Sequence, residues 1–174
     1  MPDPVPDPGF KNDIMRAATE TERQMYRMAR RNGDEATLEK ARMQRQQRQR
    51  EDRQQIARAR DWWLERMIET SRPLQEKMTL FWHGHFATGY RAVEDSWHLL
   101  QQNELFRNNA VGNFKDPLVQ GIIRDPAMIK YLNNDQNRRG APNENLAREL
   151  MELFTLGEGN GYTENDIREG ARAL

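Results

Sequence analysis

From Glu35 to Thr70 the chain contains neither proline nor glycine, the two residues that most readily end a helix. At about 1.5 Å per residue such a run makes a helix on the order of 50 Å long. Asn32-Gly33-Asp34 stands just before it. Gly33 suits the stop of a preceding helix and Asp34 the N-cap of the long one. The centre of the run carries Arg42, Arg45, Arg48, Arg50, Arg53, Arg58 and Arg60 against Glu51 and Asp52. Only Met43, Ile56, Ala57 and Ala59 are apolar there, and no a/d repeat is sustained. A helix with so thin an apolar stripe is solvated, frays, or pairs with something outside the chain.

The remaining segments also read as helices, and the fold class expected is all-α: an irregular domain of several short helices preceded by the long charged one. Ile14, Met15, Ala18, Met25, Met28 and Ala29 mark a helix from about Asn12 to Arg31. Trp62, Trp63, Leu64, Met67 and Ile68 open the globular part. Ser71-Arg72-Pro73 reads as a stop and restart, with Ser71 as cap and Pro73 in the first turn. Leu74, Met78, Phe81, Trp82 and Phe86 continue a buried face. Further helices are expected over 94–108, 113–123 (with Phe114, Leu118, Ile122 and Ile123), 127–132 and 142–156, with a polar loop over 133–141. Thr163 and Asp166 form a capping-box pattern for the last helix. The domain organisation expected is an extended proline-rich arm over 1–9, a charged helical extension over 10–60, and a helical globular domain over 61–174. The chain stops at Ala-Arg-Ala-Leu inside a helical pattern, as a truncated portion of a longer protein would.

Composition removes several classes of function. There is no cysteine, so disulfides, zinc–thiolate sites and thiol nucleophiles are excluded. Lys+Arg and Asp+Glu are 27 each, so net charge exerts no global pull toward nucleic acid or an acidic membrane. No apolar run approaches the roughly 18–20 residues of a membrane span. Residues 1–10, MPDPVPDPGF, are not a signal peptide, lacking a basic start and an apolar stretch. No phosphate-binding glycine loop, serine-nucleophile motif or dinucleotide fingerprint is present.

Three stretches bear chemistry. In Phe81-Trp82-His83-Gly84-His85-Phe86 the two histidines stand two apart. They could share a divalent metal where Gly84 unwinds the backbone. On a continuous helix they point about 160° apart, and each imidazole bonds a neighbour instead. In Pro142–Phe154, Leu146, Leu150, Leu153 and Phe154 form an apolar face, while Asn145, Glu149 and Glu152 fall at i, i+4 and i+7 on another. That second face is either a solvated acidic side or a buried polar site, with Glu149 or Glu152 as metal ligand or general base. Glu144 and Arg148 make an i, i+4 pair. The third stretch is the arginine-rich centre of the long helix, which reads as a solvated linker or as a binder of anionic polymer. Glutamines rather than aromatics interleave its arginines, so base stacking and a specific nucleic-acid partner are not expected. His98, next to Trp97, reads as a satisfied or surface histidine.

FWHGHF, NNAVGNFKDPLVQGIIRDPAMIKYLNN and PNENLARELMELFTLGEGNGYTENDIREGARAL together resemble the bacterial family called domain of unknown function 1800. The resemblance runs from about Trp63 to Leu174. Residues 1–60 do not carry it, and read as an insertion or a lineage-specific extension. The resemblance implies a longer parent, an exported or periplasmic location, and a gene neighbourhood shared with a second uncharacterised family. It implies no activity. It lends weight to His83, His85, Asn143, Glu144, Asn145, Arg148, Glu149 and Glu152.

Two functions follow as expectations. In one, His83 and His85 hold a divalent metal, and Glu149, Glu152 and Arg148 act beside it, with Asn143, Glu144 and Asn145 in binding roles. The reaction class is then metal-assisted hydrolysis. In the other, the same residues form a buried structural network in a non-catalytic module that docks another bacterial protein.

Overall fold

The computed structural model describes residues 9–10 and 13–174, and all regular secondary structure among them is helical. The proline-rich arm, Gly9 apart, lies outside the described residues, as do Asn12 and the side chain of Leu118. The helices are α1 (Glu20–Asn32), α2 (Glu35–Glu69), α3 (Pro73–His85), α4 (Tyr90–Val93), α5 (Ser96–Asn108), α6 (Gln120–Ile122), α7 (Pro126–Tyr131), α8 (Asn145–Glu149) and α9 (Glu164–Ala173). Two wider π-helical segments adjoin them: Phe114–Val119 leads into α6, and Leu150–Thr155 continues α8. A short 3₁₀ turn, Asn134–Gln136, lies in the polar loop.

Local chemistry sets the boundaries. The first helix begins at Glu20 rather than near Asn12, because Thr19 and Glu22 form a capping box: each side chain accepts from the other's backbone N–H. Gly33 takes the left-handed conformation, φ 69°, that ends α1. Asp34 then accepts from the Thr37 N–H and starts α2, as its position before the long run predicts. At the next junction the cap is Arg72 and not Ser71, with Pro73 in the first turn of α3. The helix expected over 94–108 is preceded by a separate turn, α4. Glu94 closes that turn at φ 50°, and Asp95 caps α5. The helix after Pro142 starts three residues later, at Asn145. The predicted Thr163–Asp166 capping box is present.

The main core joins Phe86 of α3, Phe106 of α5, Ile122 of α6, Met128 of α7, Leu146 of α8 and Phe154 of the segment after it, with Trp82, Leu105 and Leu150 against them. A smaller cluster of Ala147, Ile167 and Ala171 seats α9 on α8. The long helix α2 docks differently. Asp52, Gln55 and Ala59, spaced i, i+3 and i+7, are its buried residues. Asp52 accepts from the Ser96 hydroxyl, from the Ser96 N–H (3.0 Å) and from the Tyr90 hydroxyl (2.7 Å). Gln55 donates to the Ser96 hydroxyl at 3.0 Å. The missing apolar stripe is thus replaced by a satisfied polar one. Among the described residues no helix is long and apolar enough to cross a membrane.

Candidate functional site

Helix α3 runs unbroken through Gly84 to His85, so the two imidazoles leave it on different sides. His83 lies between Trp63 and Phe106, with ring centroids 4.8 Å and 4.7 Å away. Its Nε2 stands 3.0 Å from the Asn103 amide nitrogen and accepts from it. Burial, aided by the nearby Arg107 cation, pushes the His83 pKa down to about 4, so the ring is neutral near pH 7. His85 turns toward the other motif. Its Nε2 is 3.1 Å from the Phe154 carbonyl, to which it donates. Phe81, with its ring stacked parallel, and Phe114 flank it at 6.3 Å and 5.7 Å. The two histidines do not converge on a common point.

The second motif is built on α8 and the π-helical segment after it. Leu146 and Phe154 enter the core, and Ala147 meets α9. The widened turn spaces Leu150 and Phe154 on the inner side, while Leu153 is 63% exposed rather than part of the apolar face. On the polar side Arg148 is a hub. Its Nη1 donates to Glu152 (3.0 Å) and Glu164 (3.0 Å), and its Nη2 to Glu164 (2.7 Å) and Glu144 (3.3 Å). Fork-to-fork pairing with Glu164 ties α8 to α9. Hydrogen bonding from Arg148 holds the Glu164 carboxyl below its ordinary value.

Glu149 stands apart. It is half-buried, and its carboxylate has no hydrogen-bond or ion-pair partner among the described residues. Desolvation first, and the Glu152 charge second, push its pKa up. Asn143 stitches the loop: its side-chain oxygen accepts from the Asn145 N–H (3.0 Å), its amide donates to the Asn133 carbonyl (3.2 Å), and its own N–H donates to Asn137 (3.0 Å). Asn137 in turn donates to the Ala171 carbonyl of α9 at 2.7 Å. Asn145 is exposed.

Residues 7–174 match the family described as protein of unknown function (DUF1800). The chain belongs to that family. The match takes in α1 and α2, so residues 10–60 are part of the DUF1800 sequence and not an addition outside it. The family resemblance seen from Trp63 onward was too narrow, because the long helix has no short motif to announce it. Among curated proteins and solved structures, no match is found for this DUF1800 chain.

Two groups of chemically important residues escape the motif reading. One is the buried centre at Glu76, which accepts from Trp63 Nε1 (2.9 Å), Arg66 Nε (2.8 Å) and Arg107 Nε (2.8 Å). The other is a set of potential cation donors: one atom each from Asp13, Asp95 and His98, all within 4.8 Å of one another. Neither His83, His85, Glu149 nor Glu152 belongs to such a set among the described residues. Little in the sequence signals Glu76, which stands between Gln75 and Lys77 like a residue on a solvated face. Its partners on α2 and α5 are 10 to 31 residues away.

Proposed function

We propose that this DUF1800 chain is a non-catalytic helical module that docks a protein partner. The observation that carries the reading is that most of the polar motif side chains, Glu149 apart, are occupied by partners within the protein. Arg148 holds Glu144, Glu152 and Glu164 together, His83 bonds Asn103, and His85 bonds the Phe154 carbonyl. These bonds join helices, and among the described residues His83, His85, Glu149 and Glu152 belong to no converging set of metal donors. The surface favours a partner with apolar side chains and a basic rim. Phe81 is 54% exposed and Phe114 is also exposed, and both flank His85. Glu149 brings an unpaired carboxylate on the helix that leads to Phe154. The family resemblance adds the expectation that the setting is bacterial and exported.

The test is metal content by elemental analysis on protein purified without chelator, beside a His83→Ala/His85→Ala double variant. The module reading expects no metal that depends on these histidines, and a variant that is destabilised. A stoichiometric metal lost in a folded double variant would overturn it.

One observation favours a second reading, hydrolysis. Glu149 is partner-free among the described residues, half-buried and raised in pKa, which suits a general base. On that reading Glu149→Gln keeps the fold and abolishes turnover.

A further inference from the structure

Helices α1 and α2 form an antiparallel pair turned at Gly33, and between them lies a cleft of about 450 Å³. Arg16 precedes α1, Arg30 comes from its last turn, and Arg42, Arg45 and Arg48 come from α2. On α2 these last three stand at i, i+3 and i+6, so they share the face turned toward α1. The remaining arginines of the helix, Arg50, Arg53, Arg58, Arg60 and Arg66, do not line this cleft.

The charge is unbalanced. Five guanidiniums face a single carboxylate, Glu22. Glu22 is already engaged: it receives both Arg16 nitrogens at 2.9 Å and 3.0 Å and the Thr19 N–H at 2.7 Å, with Arg48 at 3.8 Å. Hydrogen bonds from Arg16 and Thr19 hold its pKa down to about 2. Arg30, Arg42 and Arg45 have no hydrogen bond or ion pair among the described residues. Like charges gathered in one concavity repel one another and raise the local potential for an anion. The floor between them is apolar, from Met15, Leu38 and Ala41, with Tyr26 at the side.

We infer that this cleft binds a small organic molecule bearing two or more phosphoryl groups. The guanidiniums present planar forks that match phosphoryl oxygens. The apolar floor and Tyr26 suit the non-phosphate body of the ligand. The volume falls within the range of small-molecule sites, roughly 300–1,000 Å³, and the arginines converge on it rather than tracking a strand.

The probes are ATP and inorganic tripolyphosphate, titrated calorimetrically into the full chain at low salt. Saturable one-site binding is expected, weakening as salt rises. Arg42→Ala/Arg45→Ala should raise the Kd by about tenfold or more, with helicity by circular dichroism unchanged. Arg50→Ala/Arg53→Ala removes the same charge from the same helix and should leave the Kd within about twofold. Equal ATP and tripolyphosphate affinities assign recognition to the phosphates alone, and tighter ATP binding adds the floor; both support the cleft. The inference falls if neither probe saturates, if the two double variants lose affinity equally, or if a single-stranded oligonucleotide binds far more tightly than ATP.

Discussion

Arg107 lies along Glu76 with Nε 2.8 Å from Oε1 and Nη2 3.2 Å from Oε2, and both side chains are buried. The pair ties α5 to α3, and Arg66 and Trp63 bring α2 to the same carboxylate. Burial would raise the Glu76 pKa, but the bonds from Arg107, Arg66 and Trp63 outweigh it and hold the value below 4.5. Removing one member strands a buried charge, so Glu76→Ala should cost about 3–5 kcal/mol in urea unfolding. Because the folded pKa is depressed, the contribution is present above the unfolded value and is lost as pH falls through the folded one. Glu76→Gln should therefore flatten the acid limb of the stability curve below about pH 4.

Asp125 and His83 pull stability in opposite directions across mildly acid pH. Burial pushes Asp125 from 3.8 up to about 6, despite bonds from the Met128 N–H and Gln102. Its contribution is full below the unfolded value and is lost as pH rises to about 6, on the order of 3 kcal/mol. His83 is displaced from 6.5 down to about 4, so its contribution is present above 6.5 and is lost as pH falls toward 4. Asp125→Asn should thus unmask a steeper loss of stability between pH 6 and 4. Imidazole NMR should find His83 neutral down to about pH 4. A His83 resonance titrating near 6.5 would contradict its buried setting.

The Arg148 hub predicts coupling rather than a large single-site effect, because its members are partly exposed. In a double-mutant cycle, Arg148→Ala and Glu164→Ala should together destabilise by less than the sum of the single changes. The difference should shrink as salt screens the pair. Strict additivity would show that α8 and α9 are held by the Ala147–Ile167–Ala171 contact alone.

Phe81 gives the docking proposal a positional test. A photo-crosslinking residue at position 81, in cells of the source organism, should yield one discrete protein adduct. The same residue at Gln47, exposed on α2, should yield none. Identical adduct patterns from both positions would show that the aromatic face is not the docking surface.

Much of the fold is legible in the amino-acid order. Gly33 and Asp34 mark the start of α2, Pro73 the start of α3, and Thr163 with Asp166 the start of α9. These are local signals, set within one turn of backbone. The Ser71 cap was misplaced because a hydroxyl caps only if the chain geometry brings it over the first turn, and here Arg72 occupies that position. The site was less legible. Asn143 and Arg148 stood out, but their partners Asn137 and Glu164 did not, although both lie within 16 residues.

Helical content, the long α2 rod and the apolar positions of the core follow from propensity and a period of about 3.6 residues, which any short window of sequence carries. The side of α3 that each histidine faces was settled by neighbours from distant segments: Trp63 and Asn103 for His83, and Phe154 for His85. The same holds for the polar docking of α2, where Asp52 meets Ser96 across 44 residues. Hydrophobic period announces which positions are buried, but a buried polar group is tolerated only where a partner arrives with the right geometry. That meeting exists only once the helices have packed.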